Sequence, residues 1–271
     1  MQAHIRYNVL VNISMVIPVL AGLIAWYLTD LLADTLPFSP VKNPHCRNAD
    51  CRAPIPWRDY LLLHRCPKCG QPRRARTWIL LAVMVAASVY IWLFPPKGIG
   101  YAGGLVVFTY LTCVAVIDLE HRLILRPLSI AGVVLGAGTG FLMQGWQSLL
   151  LGAAAGFMIL FIFYLFGKWF VRFRTRRLGA DSGGEEALGS GDITLAILLG
   201  LMVGWPLIWF DILLGVLLAG VVSLVIILRL VVSRRYGQKA FMVFIPLGPG
   251  FILAAMLILY FPHYLAAIVP R

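Results

Sequence analysis

The stretch that decides the fold is GSGDITL, residues 189–195, in which Asp192 stands where a polar loop gives way to a long apolar run. A second stretch, IDLEH at residues 117–121, is its counterpart, because there Asp118 closes another apolar run. Acidic side chains at membrane depth are rare and mark functional sites. We therefore predict that Asp118 and Asp192 form a pair that shares protons and activates water.

The composition predicts a membrane protein. Apolar residues make up 61% of the 271 residues and charged residues 13%, and the mean hydropathy is +0.87, whereas soluble domains carry about 25% charged residues. At roughly 20 residues for each membrane-crossing helix, we expect an all-α polytopic membrane protein with about eight transmembrane helices. The predicted spans are residues 9–32, 77–94, 99–117, 128–143, 146–166, 193–209, 212–232 and 243–261.

The basic residues predict which side of the membrane each loop faces. If the segment after the first span lies in the cytosol, all 23 Lys and Arg residues except Arg6, Lys97 and Arg271 fall on the cytosolic side, as the positive-inside rule requires. Topology thus accounts for the net charge of +12, and we expect membrane lipid around the chain and no nucleic-acid partner. The same assignment puts both aspartates at the cytosolic edge of the membrane.

The chain divides into three predicted parts. Residues 1–34 form the first transmembrane helix, residues 35–76 a small cytosolic domain, and residues 77–271 a membrane domain of about seven helices that carries both aspartates. The middle part has too little apolar material for a core of its own, so we expect a bound metal to supply its folding energy.

Four of the five cysteines lie in the middle part, in two pairs whose spacing suits a tetrahedral zinc site. We predict a structural zinc knuckle between the first two membrane helices. Two disulfides are the alternative, which a reducing cytosol disfavours, and His45 and His64 are alternative ligands. The predicted ligands are Cys46, Cys51, Cys66 and Cys69.

Each aspartate also has a purely structural interpretation. Asp192 is a suitable helix N-cap, and Asp118 could form an ion pair with Arg122 one turn further on. The flanking Gly189 and Gly191 favour a functional site, because glycine permits close backbone approach or positive φ. By helix-end electrostatics alone, Asp192 at a helix start suits the base and Asp118 at a helix end suits the acid.

The layout resembles the type IV prepilin peptidases, the bacterial membrane members of the GxGD aspartyl proteases. The resemblance depends on residues 118–124 after one span, residues 188–192 opening another, and the IPLGP stretch at residues 245–249 before the last span. The paired cysteines between the first two spans complete it. These motifs cover nearly the whole chain in the order that the family shows.

The resemblance implies a bacterial inner-membrane enzyme with its active site at the cytosolic face. It implies removal of the leader peptide from prepilins or pseudopilins that carry a hydrophobic N-terminal helix, with Asp118 and Asp192 as the catalytic pair. It also implies structural zinc on the four cysteines and N-methylation of the new terminus with S-adenosylmethionine.

Three other interpretations stay open. Thr194 stands where the family usually has a lysine, which leaves room for a non-catalytic assembly factor that binds pilin-like helices without cutting them. A proton-coupled transporter would need acids nearer the centre of the bilayer. A presenilin-like protease that cuts within membrane helices fits the cysteine knuckle less well.

Overall fold

The computed structural model describes residues 2–37, 46, 51, 53–61, 65–70, 72, 75–178, 189–232 and 247–262. In these ranges the regular elements are helices, which confirms the predicted all-α class. The helices are α1 (Gln2–Thr35), α2 (Trp57–Leu61), α3 (Ala75–Leu93), α4 (Gly100–His121), α5 (Arg126–Leu178), α6 (Ser190–Val203), α7 (Leu207–Val232) and α8 (Gly248–Tyr260).

Most of these helices have membrane character. Within the described ranges, five segments are long and apolar enough to cross a membrane, and α6 and α8 are shorter apolar helices. The chain is therefore a multi-pass membrane protein, as its composition predicts. The five segments are Met15–Thr35, Ala75–Leu93, Gly100–His121, Arg126–Trp169 and Leu207–Arg229.

Helix α5 confirms one predicted boundary and corrects another. The predicted spans 128–143 and 146–166 are two helical segments that meet at Gly145, whose φ of 79° and ψ of 170° are not helical. The predicted loop from Lys168 is wrong, because the helix continues to Leu178. No glycine or proline occurs between residues 168 and 178, so nothing in that stretch stops a helix.

The boundary between α6 and α7 also differs from the prediction of spans at 193–209 and 212–232. Helix α6 begins at Ser190 and ends before Gly204, which has a φ of 72°, and α7 begins directly after Pro206. Glycine at positive φ and proline are the residues that end one helix and open the next. Asp211 consequently lies inside α7, where its exposed fraction is 0%, and not in a loop between two spans.

The chain forms two compact units, residues 1–96 with 100–113 and residues 97–99 with 114–271. In the first unit, α1 packs along α3. Gly22 allows this approach, because a Cβ at Gly22 would lie 2.9 Å from the Val85 Cα. The Ser88 hydroxyl donates a hydrogen bond across the same contact to the Pro18 carbonyl oxygen at 2.6 Å.

In the second unit, α5 packs along α6, and α7 packs along α8. Glycines lie at both contacts. A Cβ at Gly152 would overlap with the Gly200 carbonyl oxygen, and a Cβ at Gly250 would lie 2.6 Å from the Gly215 carbonyl oxygen. Small residues that let helix backbones approach closely are typical of membrane helix pairs. These contacts fix α6 and α8, the two helices whose first turns reach the predicted aspartate site.

Candidate functional site

Asp118 lies in the last turn of α4 and has an exposed fraction of 6%. The helix ends at His121 because Arg122 adopts a left-handed conformation with φ of 54° and ψ of 39°. The Arg122 backbone N–H donates to the Asp118 carbonyl oxygen at 2.9 Å. Asp118 is thus held on a fixed, buried helix end and not on a loop.

Asp192 lies in the first turn of α6, one turn inside the N-cap position that the sequence suggested for it. Gly189 occupies the N-cap in an extended conformation, and its carbonyl oxygen accepts a hydrogen bond from the Asp192 backbone N–H at 3.1 Å. The Asp192 carboxylate faces the Gly189 backbone, since a Cβ built on Gly189 would lie 3.9 Å from Asp192 Oδ2. Gly189 has no side chain, so this is only the acidic half of a capping box, with the carboxylate turned back toward the start of the helix.

The two carboxylates belong to the same compact unit and interact electrostatically, although they are far apart in sequence. Arg122 also acts on Asp118 electrostatically. The Asp118 Oδ2 atom lies so close to Gly248, the first residue of α8, that a Cβ there would overlap with it. Both carboxylates therefore lie at the start of a helix, and the helix-end argument no longer separates an acid from a base.

Neither motif glycine, Gly189 or Gly191, adopts unusual backbone angles, and of the two Gly191 makes the close contact. Gly189 has a φ of −76°, and neither glycine is among the described positions of positive φ. A Cβ at Gly191 would lie 3.2 Å from the Ile124 Cδ1 atom. Gly191 thus lets the segment that follows Asp118 pack against the turn that carries Asp192.

The four cysteines of the first unit form a candidate metal centre. Their Sγ atoms all lie within 4.8 Å of one another. The Cys46 and Cys69 sulfurs are 3.5 Å apart, and the Cys51 and Cys66 sulfurs are 3.9 Å apart. Zn–S bonds of about 2.3 Å in a tetrahedron require sulfurs about 3.8 Å apart. All four are free thiols, so the arrangement can hold a metal ion and is not a pair of disulfides.

The backbone around Cys66 supports metal binding. Hydrogen bonds from the backbone of Cys69 and Lys68 lower the pKa of the Cys66 thiol to about 6. The Gly70 N–H donates to the Cys66 carbonyl oxygen at 2.8 Å, and Gly70 has a φ of 69°. The turn therefore presents two N–H groups to one sulfur, which favours the thiolate that a metal needs.

Sequence reasoning missed a largely buried charge cluster. It joins the cysteine module, which comprises the four cysteines and α2, to α1 and α3. Arg76 Nη2 lies 2.7 Å from Asp30 Oδ1 and 2.9 Å from Asp34 Oδ1. The Tyr60 hydroxyl, on α2, donates to Asp34 Oδ2 at 2.9 Å, and the Thr77 hydroxyl lies 3.4 Å from Asp30 Oδ2. The spacing of four residues between Asp30 and Asp34, which puts both on one helix face, was the available signal.

Sequence reasoning also missed Asp211, because the predicted spans left it in a loop. Both of its carboxyl oxygens are buried, and neither has a hydrogen-bond partner among the described residues. Other residues that the sequence singled out lie outside the described ranges. These are His45, His64, Leu188, Ile245 and Pro246.

Together, the fold and the site define a multi-pass helical membrane protein with an aspartate pair in one unit and a four-cysteine cluster in the other. The sequence model of the type IV leader peptidase family matches residues 105–228, a range that contains both Asp118 and Asp192. No solved structure matches the chain.

Two similar proteins are both described as prepilin leader peptidase/N-methyltransferase. The one from Klebsiella pneumoniae is 30% identical over 168 residues, which cover 57% of this chain and 67% of that protein. The one from Pectobacterium carotovorum subsp. carotovorum is 27% identical over 175 residues, which cover 61% of this chain and 57% of that protein. The chain belongs to the type IV leader peptidase family, as the sequence motifs predict.

Proposed function

We propose that the chain is a membrane aspartyl endopeptidase that removes the leader peptide from type IV prepilin-like proteins at the cytosolic face of the bacterial inner membrane. The observation that carries this proposal is the packing of the two aspartate-bearing helix ends in one compact unit, where a Cβ on Gly248 would overlap with Asp118 Oδ2 and lie 3.4 Å from Leu195 Cδ2 on α6. Membership of the peptidase family and the names of the two relatives support it.

In the proposed mechanism, a water molecule binds between the two carboxylates. One carboxylate accepts a proton from the water, whose oxygen attacks the carbonyl carbon of the scissile peptide bond. The C–N bond then breaks, and the other carboxyl group protonates the departing amine. The helix ends that hold both side chains fix the geometry that such general acid–base chemistry requires.

Zinc is the metal that we propose for the four cysteines. A site closed by four thiolates has no open position for a substrate, so the zinc would stabilise the fold of the cysteine module and take no part in cleavage. Cys46 and Cys66 are buried against Ile55 and Tyr60, with Tyr27 and Leu31 of α1 packed on the same cluster. Metal binding would thereby fix the module onto α1.

We further propose that the enzyme methylates the new N-terminus with S-adenosylmethionine. Support for this second activity comes from the names of the two relatives, and we assign no residues to it. The substrate would be a prepilin or pseudopilin whose hydrophobic N-terminal helix docks from the lipid beside the aspartates.

The test is to incubate the purified full chain with candidate prepilins from the same cell and to determine the mass of each product. Loss of the leader supports the peptidase, and the added mass of one methyl group, seen only with S-adenosylmethionine, supports the methyltransferase. Stable binding of a prepilin without any cleavage would instead support the non-catalytic assembly factor that Thr194 leaves open.

A further inference from the structure

The start of α8 lies directly against the proposed catalytic Asp118. A Cβ built on Gly248 would overlap with Asp118 Oδ2, and it would lie 3.2 Å from the Asp118 Cγ atom and 3.4 Å from Leu195 Cδ2 on α6. Gly248 therefore occupies the point where the ends of α4, α6 and α8 meet. A methyl group at this position cannot coexist with the present position of the carboxylate.

The surrounding atoms leave no space for a side chain at position 248. Gly248 is not among the glycines of positive φ, so the sign of its φ does not by itself require glycine. Pro249 follows it at the start of α8, and the proline ring fixes φ there. Because the helix start is stiff, the clash with a larger residue would have to be relieved by moving the Asp118 side chain.

We propose that Gly248 is a positioning residue for Asp118: by lacking a side chain, it lets α8 close on the carboxylate and fixes where that group meets Asp192. The effect of Gly248 on catalysis depends on the proposed function, whereas the contact between Gly248 and Asp118 does not. Gly250, two residues further along α8, provides a matched control. A Cβ there would meet the Gly215 carbonyl oxygen at 2.6 Å and the Ala219 Cβ at 3.2 Å, so Gly250 serves helix packing without touching Asp118.

The first test compares Gly248→Ala with Gly250→Ala in prepilin cleavage by the full chain in detergent. A displacement of about 1 Å at a reacting group costs on the order of 100-fold in rate, so we expect Gly248→Ala to lower kcat by about that factor with KM unchanged. Gly250→Ala should lower the melting temperature and leave kcat within a few-fold of the parent value. An unchanged kcat in Gly248→Ala, or a rise in KM alone, would overturn the proposal.

The second test measures the geometry without using activity. Asp118→Cys and Gly248→Cys are combined in a Cys113→Ala background, with a protease site inserted between residues 179 and 188. After oxidation and proteolysis, the two fragments should stay joined on a non-reducing gel only in the double variant and not in either single variant. Fragments that separate in all three variants would show that the contact is absent and would overturn the inference.

The two proposals fail in different ways. If Asp118→Asn is inactive while Gly248→Ala cleaves normally, the peptidase stands and the positioning role of Gly248 falls. If Asp118→Asn cleaves at the parent rate, the proposed function falls and the positioning role falls with it, even where the cross-link forms.

Discussion

The acids of the two compact units are held in opposite ways. In the first unit, Asp30 and Asp34 share the Arg76 guanidinium at 2.7 and 2.9 Å, and hydroxyl groups of Tyr60 and Thr77 complete the cluster. Buried charges that are paired and hydrogen-bonded in this way are structural parts of a fold, and the loss of one partner is costly. The cluster connects α1, α2 and α3, so its role is to hold the first unit together.

In the second unit, three acids are held differently. Among the described residues, no Lys or Arg nitrogen lies within 4.0 Å of the carboxyl oxygens of Asp118, Asp192 or Asp211. Acids that are buried or half-buried without an adjacent cation are candidate catalytic groups. The comparison therefore predicts that changes in the first unit reduce stability and leave catalysis intact, whereas changes at the aspartate pair reduce catalysis and leave stability intact.

The largest expected effect is loss of the proposed zinc, because structural zinc contributes about 10–16 kcal/mol of apparent binding free energy to folding. Replacing the buried Cys46 and Cys66 with serine should abolish bound zinc and expose the cysteine module to trypsin. Zinc content and limited proteolysis of the purified chain measure both effects. Prepilin cleavage should persist, because the aspartates lie in the other unit.

Cys113→Ala is the control for this prediction. Cys113 is buried in α4 with an exposed fraction of 1% and is not part of the four-cysteine cluster. This variant should keep one zinc per chain and the protease resistance of the parent. Loss of cleavage in the zinc-free protein, with the membrane helices intact by circular dichroism, would contradict a purely structural metal.

The next largest effect is expected at the aspartate pair. General acid–base groups contribute about 10²- to 10⁴-fold to rate, so Asp118→Asn and Asp192→Asn should each lower kcat by at least 100-fold. The melting temperature should change little, because neither carboxylate forms an ion pair with a Lys or Arg among the residues that the structure describes. Single-turnover cleavage of a prepilin, followed on a gel, measures the rate.

Glu120→Gln is the matched control for the pair. Glu120 follows Asp118 by two residues and lies 3.9 Å from the His121 imidazole, which places it in an interaction of its own. Its variant should cleave at nearly the parent rate. If the Asn variant of either aspartate cleaved at the parent rate, the prediction that the aspartate pair of the second unit is catalytic would be wrong.

How much of this contrast is visible in the sequence depends on the distance over which each interaction acts. The apolar runs, the acids at their ends and the cysteine spacing are local patterns, and they predicted the helical membrane class and the four clustered thiols. The exact helix ends were less predictable. Gly204 ends α6 earlier than predicted, and α7 begins directly after Pro206. Asp211 therefore lies inside a helix and not in the predicted loop.

Contacts between distant segments were not predictable from one sequence. The pairing of Arg76 with Asp30 requires α1 and α3 to pack side by side, and the contact of Gly248 with Asp118 requires the last helix to return to the end of α4. Composition does not encode either event. The same limitation explains why the helix-end argument assigned different roles to the two aspartates, since the start of α8 was not considered near Asp118.

A smaller effect, on stability alone, is expected in the charge cluster. Arg76→Met should lower the free energy of unfolding by about 3–5 kcal/mol, because it leaves the buried Asp30 without its cation. The double variant Arg76→Met with Asp30→Asn should recover part of this loss, since it removes the charge of Asp30, which is more buried than Asp34. Thermal unfolding in detergent measures both variants, and an unchanged midpoint in Arg76→Met would show that the cluster does not hold the unit together.

The smallest effect is expected at Asp211. Its variant tests directly whether a buried acid of the second unit affects stability alone or is also required for cleavage. Its carboxyl oxygens have no described partner, and a buried polar group without a hydrogen bond costs about 1–3 kcal/mol. Asp211→Leu, which is similar in size and apolar, should therefore raise the free energy of unfolding by about that amount while prepilin cleavage continues. A variant that is as stable as predicted but no longer cleaves would instead place Asp211 with Asp118 and Asp192 as an acid kept for function.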